Sequence, residues 1–303
     1  MELIPNIIFT ILLIFSLGIF IRNIKRLKRN INLGKGETEP ITNKTQRLKN
    51  MIRIALGQSK MMTRPIPAIL HIIVYVGFIV INIELIEIII DGITGTHRVF
   101  KSIGNLYGVL ISLLEVFAVL VLVSVIIFWV RRNVLRLKRF YENKMTGWPK
   151  LDADLILYFE IILMSLFLLM NATDIEFQNM NNGNIISRMI HPLFSEISLD
   201  TLHILERTFW WLHITGILIF LNYLYYSKHL HIILAFPNTF YGSLSNQGRL
   251  NNMSNVTKEV NIMLGKTNDS SEVSEDLRFG ASDITDLSWL QLLNAYSCTE
   301  CGR

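Results

Sequence analysis

The sequence predicts an all-α membrane protein, a bundle of five transmembrane helices followed by a short cytoplasmic C-terminal tail. Hydrophobic residues make up 51% of the 303 residues and charged residues only 17%, where soluble domains carry roughly a quarter. The apolar residues fall in long runs, and Lys and Arg residues flank these runs. This pattern excludes a large soluble core. No aromatic–basic motif accompanies the positive charge, so no nucleic-acid partner is expected.

A transmembrane helix needs roughly 20 mostly apolar residues to cross about 30 Å of hydrocarbon. Five segments meet this requirement, namely residues 4–21, 68–90, 106–130, 154–172 and 205–226. The first segment has no Lys or Arg before it and a strongly basic stretch after it. That order is not the pattern of a signal peptide, so the segment is predicted to be an anchor helix in the lipid bilayer.

The connecting loops predict the orientation of the bundle. The stretches 22–67 and 131–153 carry twelve and seven Lys/Arg residues, whereas 91–105 and 172–204 carry two and one. Loops rich in Lys and Arg stay on the cytoplasmic side of a membrane. We therefore expect the N-terminus outside and the C-terminus in the cytoplasm.

Three stretches outside the spans have predicted structures of their own. Residues 44–60 alternate basic and apolar side chains at helical spacing, which predicts an amphipathic helix on the inner membrane surface; a solvated linker is the alternative. Residues 237–286 are predicted to be a linker. Residues 287–296 are predicted to form a short amphipathic helix capped by Asp286.

The histidines are the first candidate ligands. A histidine within a membrane helix is costly unless it faces a partner or a ligand, which makes His71 and His213 candidate haem ligands. Two axial imidazoles leave haem iron no open site for oxygen and favour electron transfer. His231 lies eighteen residues after His213. If the helix continues that far, both project from one face about 27 Å apart, and His229 points roughly 160° away from His213. Geometry therefore favours His231, although His229 and His231 can instead be interfacial anchors.

The partner of His213 is open. Ile81 stands ten residues after His71, where a second ligand on that helix is expected. His97, in the short outer loop, is the first candidate for this role. His191 and His203 are predicted to be ordinary loop histidines.

Three carboxylates, Glu84, Glu115 and Glu160, lie inside apolar runs. Ionisable groups at such positions mark proton or substrate paths, so these residues are candidates for proton transfer to or from a quinone. The alternative is that each carboxyl is hydrogen-bonded to a neighbouring helix. The sequence does not distinguish the two for any of them.

Cys298 and Cys301 are the two cysteines of the sequence. Their spacing matches the opening of the Cys-x₂-Cys-x₂-Cys-x₃-Cys-Pro run, whose thiolates hold a [4Fe–4S] cluster. Zinc sites and redox dithiols share the Cys-x₂-Cys pair, but neither a second pair nor a strand–helix context accompanies it here. Two thiolates cannot complete a cluster. We expect the other ligands from a continuation of the chain, or else from a partner protein.

These parts together resemble a known family. Three stretches are similar to the second helix, the last helix and the ferredoxin entry of heterodisulfide-reductase-like membrane iron–sulfur oxidoreductases, namely residues 70–78, 210–238 and 289–303. The N-terminal part of that family resembles the gamma subunit of respiratory nitrate reductase. The resemblance implies a cytochrome b-like domain over residues 1–236 and the start of a [4Fe–4S] ferredoxin-like domain over 287–303, in the bacterial inner membrane.

The resemblance also implies a function. The chain would pass electrons between a membrane quinone and a cytoplasmic redox partner through one or two b-type haems and [4Fe–4S] clusters. His71 would pair with His231 or His229 on the haem nearer the clusters, and His213 would serve the outer haem. The alternative function is a membrane anchor or scaffold without cofactors. A transporter is a weaker third option, since the sequence has no inverted repeat.

Overall fold

The computed structural model describes residues 3–36, 42–180, 183–244, 254–266 and 280–299. Helices joined by turns and loops make up this part of the chain, which contains no β-strand. The α-helices are, in chain order, α1 (Leu3–Ile31), α2 (Lys44–Met51), α3 (Pro65–Thr94), α4 (Asn105–Trp129), α5 (Trp148–Thr173), α6 (Ile175–Asn179), α7 (Ser187–Ile190), α8 (Leu199–Tyr223), α9 (His231–Tyr241), α10 (Ser254–Met263) and α11 (Trp289–Tyr296). Helices α1, α3, α4, α5 and α8 are long and apolar enough to cross a membrane. The predicted all-α membrane bundle is confirmed.

The long helices extend beyond the predicted segments. Helix α1 has 29 residues because the basic stretch after its apolar part is also helical. Helix α8 begins six residues before the predicted span, at Leu199, because the Ser198 side chain caps it by accepting from the Thr201 N–H. Apolar runs mark the part of a helix that crosses the membrane, whereas caps decide where the helix ends.

The chain divides into two compact units. The first, unit 1, comprises residues up to Ile24, Gln58–Leu230 and Thr299. Within it α3 packs on α4, α4 on α5 and α5 on α8. The core lies between these helices and is built from side chains that are almost fully buried, among them Tyr107, Ile111, Phe167 and Ile214.

The second unit comprises Lys25–Gly57 and His231–Cys298. In it Lys35 donates its N–H to the Leu287 carbonyl over 2.8 Å and accepts from the Trp289 N–H over 3.0 Å. Arg47 donates to the Gly242 carbonyl over 2.8 Å. The residues after the last span therefore pack against the residues that follow α1. The stretch predicted to be a linker holds the end of α9 and all of α10.

The predicted amphipathic helix at 44–60 is present over its first thirteen residues, as α2 and the π-helical turn Ile52–Leu56. Leu48, Ile52 and Leu56 recur every four residues along it and are 46%, 48% and 45% exposed. This apolar stripe suits a helix lying on a lipid surface. Its position on the membrane stays a prediction.

The prediction that Asp286 caps the last helix is wrong. Ser288 caps α11, since its hydroxyl accepts from the Gln291 N–H over 3.3 Å and the Gln291 side chain accepts from the Ser288 N–H over 2.8 Å. Asp286 instead ends a 3₁₀ turn and pairs with Lys35 at 3.3 Å. The Ser-x-x-Gln capping box was the stronger local pattern.

The alignment of His213 and His231 on one helix face required the helix to continue to His231, and it does not. Helix α8 ends at Tyr223, and Ser227 adopts an extended backbone conformation before α9 begins at His231. The buried Asp152 of α5 stabilises the break. Its carboxylate accepts from the Tyr223 hydroxyl over 2.5 Å and from the Lys228 N–H over 2.9 Å.

Candidate functional site

Five histidines lie near the two ends of unit 1, because its long helices alternate in direction. Helices α3, α4, α5 and α8 pack in succession and alternate in direction. His71, near the start of α3, and His229, after the end of α8, therefore lie at one end, which we call the His71 end. His97 follows α3 and lies at the other, the His97 end, together with His191 and His203 near the start of α8.

His213 is buried within α8, with 3% of its surface exposed. Its Nδ1 lies 3.0 Å from the Leu163 carbonyl oxygen, and its ring centroid lies 6.0 Å from that of Phe167. Because a carbonyl oxygen only accepts, Nδ1 carries the proton and Nε2 is the nitrogen with a lone pair. This is how metal-binding histidines are usually oriented, so the donor chemistry at His213 fits an axial haem ligand. A structural core histidine uses the same hydrogen bond.

Arg98 organises the His97 end. Its guanidinium donates from Nε to Asp174 over 2.8 Å, from Nη2 to Asn171 over 2.8 Å and from Nη1 to the Tyr107 hydroxyl over 3.3 Å. It also lies 4.0 Å from the centroid of the Phe177 ring. One side chain in the loop after α3 thereby joins α4, α5 and α6. In the sequence, Arg98 is only one of the two basic residues of the 91–105 loop, and no pattern marks it further.

Two buried carboxylates belong to the same polar network. Glu87 accepts from the Tyr107 hydroxyl over 3.0 Å and from the Phe100 N–H over 2.9 Å. Glu115 is fully buried and accepts from Asn171 over 3.2 Å and from the Ile186 N–H over 2.7 Å. Of the two interpretations of Glu115, the structure supports hydrogen bonding to a neighbouring helix.

His97 lies between two carboxylates. Its Nε2 is 3.2 Å from Asp174 and its Nδ1 is 3.2 Å from Glu176. The hydrogen bond to Asp174 raises the pKa of His97 above its usual value, in spite of partial burial. Burial opposes the charge on Asp174, but the His97 hydrogen bond and the Arg98 charge outweigh it and hold the pKa of Asp174 below its usual range. As an iron ligand His97 would have to give up one carboxylate, and that role stays a prediction.

The other two histidines at the His97 end have local contacts. The Nδ1 of His191 lies 2.8 Å from the Ala172 carbonyl oxygen. His203 is 74% exposed at its side chain, 4.0 Å from Glu206. His191 lies in the 3₁₀ turn between α7 and α8, in the predicted connecting region. His203 lies in the first two turns of α8, so its predicted loop position is wrong, because the Ser198 cap starts the helix earlier than the apolar run does.

A cavity of about 850 Å³ lies at the His97 end of unit 1, between α1, α3, α8 and the segment from the end of α5 into α6. Aromatic rings form part of its wall, namely those of Phe9, Trp210 and Trp211. Carboxylates form another part, namely those of Glu84, Glu87, Asp91, Asp174, Glu176 and Glu206. The sequence marked Glu84 as one of three membrane carboxylates but did not indicate the cavity.

The cavity wall includes a grouping that resembles a metal site. Ligand atoms of His97, Asp174 and Glu206 all lie within 4.8 Å of one another. However, Arg98 already pairs with Asp174, and Arg207 pairs with Glu206. An arginine therefore already balances the charge of each buried carboxylate, and we assign no metal ion to this grouping.

The cysteine pair lies partly outside the described residues. Cys298 follows α11 and is exposed as a free thiol. Cys301 lies outside the described residues. The structure thus places one predicted cluster ligand on the surface and leaves the cluster a prediction.

Comparison with known proteins relates the chain to iron–sulfur oxidoreductases. It is 27% identical over 306 residues to the probable iron–sulfur-binding oxidoreductase FadF of Bacillus subtilis (strain 168), covering 98% of this chain and 39% of that protein. It is 23% identical over 284 residues to the EtfAB:quinone oxidoreductase of Syntrophomonas wolfei subsp. wolfei, covering 89% of this chain and 36% of that protein. The chain spans about two fifths of the length of these relatives. No family model and no solved structure matches it.

Proposed function

We propose that the chain is the membrane part of an iron–sulfur oxidoreductase that passes electrons between a membrane quinone and a cytoplasmic redox partner. The observation that carries this proposal is the similarity, along nearly the whole chain, to proteins named as an iron–sulfur-binding oxidoreductase and a quinone oxidoreductase. Five apolar helices give the chain access to a lipid-soluble quinone. The basic loops favour the His97 end as the outer side.

The ligands we propose for haem are histidines at two depths. His71 pairs with His229 or His231 on a b-type haem, as the family resemblance implies. His213 serves an outer haem, which His97 completes if it gives up a carboxylate. A bound haem supplies one-electron transfer, while the chain contributes imidazole ligands and a water-poor environment. Cys298 and Cys301 are proposed to begin the ligand set of a [4Fe–4S] cluster.

The test is a reduced-minus-oxidised absorption spectrum of membranes that contain the full-length protein. We expect b-type haem bands, which His71→Ala removes in whole or in part. His213→Ala is expected to remove the bands of the outer haem. His203→Ala is the matched control, because this histidine is exposed and should leave the spectrum unchanged.

Two outcomes would contradict the proposal. A correctly inserted protein without haem bands would exclude the haem path and favour the scaffold alternative. Bands that survive His71→Ala unchanged would exclude His71 as a ligand. Iron and sulfide analysis of the same preparations, with and without Cys298→Ser, tests the cluster separately.

A further inference from the structure

We propose that the cavity at the His97 end binds the head group of a quinone and that Glu84 exchanges a proton with it. This inference rests on the proposed function, which requires a quinone but does not locate it. The cavity volume of about 850 Å³ lies within the range of roughly 300–1,000 Å³ common for small-molecule sites. Three further features indicate the class of ligand.

The first feature is a groove that continues from the cavity. It measures about 410 Å³ and shares His203, Arg207 and Trp211 with the cavity. Its remaining lining comes from the outward surface of α8, where Ile204 and Leu212 are 63% and 52% exposed. In a membrane this surface meets lipid. A ligand with a compact head and a long apolar tail fits the cavity and the groove together.

The second feature is the aromatic wall. The Phe9 ring centroid lies 5.4 Å from that of Trp210 and 6.3 Å from that of Trp211. The Trp210 and Trp211 rings are nearly perpendicular, at 80°. Phe9 and Trp210 are 1% and 8% exposed and back this wall, while the half-buried Trp211 ring is the one that can stack on a planar ring. This favours an aromatic head group over a small hydrated ion.

The third feature is Glu84 itself. It is only 3% exposed and lines the cavity, and its Oε2 has no hydrogen-bond partner among the described residues. Buried polar atoms without a partner cost free energy, and one that lines a cavity is placed to meet a bound ligand or to take part in its chemistry. Glu87, one turn along α3, already accepts from Tyr107 and Phe100. Glu84 is therefore the wall carboxyl available to a ligand oxygen.

The interconversion of quinol and quinone requires a proton acceptor and donor, and Glu84 can fill this role. Conversion of a quinol to a quinone breaks two O–H bonds and releases two protons and two electrons, and the reverse reaction takes them up. The electrons go to or come from the one-electron centres of the proposed function. At the inner oxygen the proton passes between the O–H bond and the Glu84 carboxylate. Glu176, whose side chain is 70% exposed, lies at the mouth of the cavity. Through this mouth the proton on Glu84 and the proton of the outer oxygen exchange with the solution.

The binding half of the proposal is tested without any cofactor. A short-tailed naphthoquinone is titrated into the full-length protein in lipid nanodiscs, and Kd is measured by calorimetry. We expect Glu84→Ala and Trp211→Leu each to raise Kd about tenfold, the equivalent of one lost hydrogen bond or ring contact. Glu160→Gln and Trp148→Leu are matched controls, since neither residue lines the cavity. An unchanged Kd in both site variants would overturn the site.

The proton half is tested by Glu84→Gln, which keeps a hydrogen-bond donor at the same place but cannot accept a proton as a carboxylate does. We expect Kd to stay within about threefold while reduction of the protein by the corresponding quinol, followed by stopped flow, slows roughly 10²-fold. An unchanged rate would overturn the role of Glu84. Haem bands with no quinone binding would refute only this site, whereas binding without haem would refute only the proposed electron path.

Discussion

Arg98 and Asp174 form a buried ion pair, with 2.8 Å between Nε and Oδ2, that ties the loop after α3 to the residue preceding α6. Their side chains are only 8% and 5% exposed. Burial disfavours the charge on Arg98, but the Asp174 carboxylate and Tyr107 outweigh it and raise the pKa of Arg98. Since Asn171 and Tyr107 accept from the other guanidinium nitrogens, both charges are satisfied and the pair holds one wall of the cavity.

Asp174→Asn is expected to destabilise the protein by about 3–5 kcal/mol, because it leaves the buried Arg98 guanidinium without a counter-charge. The asparagine can still accept from the Phe177 N–H and cap α6, so loss of the cap does not account for the effect. The measurement is chemical unfolding in detergent. Glu176→Gln is the control, because its carboxylate is 70% exposed and faces His97; it should cost less than about 1 kcal/mol. Equal costs for the two substitutions would contradict the assignment.

The stability of the His97 end should depend on pH. The hydrogen bond to Asp174 raises the pKa of His97 in the folded protein, so protonated His97 stabilises the fold. This contribution is complete below the unfolded pKa of about 6.5 and is lost as pH rises through the folded pKa. We therefore expect the advantage of wild type over His97→Gln in melting temperature to shrink as the solution becomes alkaline. A constant difference across that range would count against the ion pair.

Glu115→Gln tests the second polar connection. The carboxylate accepts from the Asn171 amide and, through its other oxygen, from the N–H groups of Ile186 and Ser187. A glutamine turns one of these oxygens into a donor and leaves at least one buried group unsatisfied, which costs about 1–3 kcal/mol. Glu160→Gln is the matched membrane carboxylate and should cost less than about 1 kcal/mol. The measurement is the free energy of unfolding of both variants in the same detergent. Equal losses would contradict a special role of Glu115 in the fold.

The five spans were predictable because a membrane imposes a minimum apolar length on each helix. The break after α8 was not, because residues 224–230 contain neither Pro nor Gly. Its cause is Asp152, more than seventy residues earlier, which accepts from Tyr223 and Lys228 once α5 and α8 pack together. A partner so distant in sequence leaves no local pattern.

The cavity shows the same limit. The sequence marked Glu84, Glu115 and Glu160 alike, because each is a carboxylate in an apolar run. The folded structure is needed to distinguish them. Glu115 accepts hydrogen bonds from three donors, whereas Oε2 of Glu84 has no donor among the described residues. The sequence places His97 in the loop after α3, but it does not predict the position of this histidine between Asp174 and Glu176.

The contact between α1 and α3 should be sensitive to a single methyl group. A Cβ atom added at Gly92 would lie 2.5 Å from Cδ1 and Cε1 of Phe9, whose ring is 1% exposed and forms part of the cavity wall. Gly92→Ala must therefore displace the ring, at a cost of about 1–3 kcal/mol. We expect a lower melting temperature and weaker binding of the naphthoquinone, because Phe9 also positions Trp210.

Gly18→Ala is the control for this substitution. A Cβ at Gly18 meets nothing within 4 Å, so the change should only reduce the entropy of the unfolded chain and stabilise α1 by about 0.5–1 kcal/mol. The same chemical change is thus expected to have opposite signs at two positions. Phe9→Leu added to Gly92→Ala should restore part of the lost stability, since the smaller side chain makes room for the methyl group. If Gly92→Ala stabilises the protein as Gly18→Ala does, α1 does not pack against α3 through Phe9.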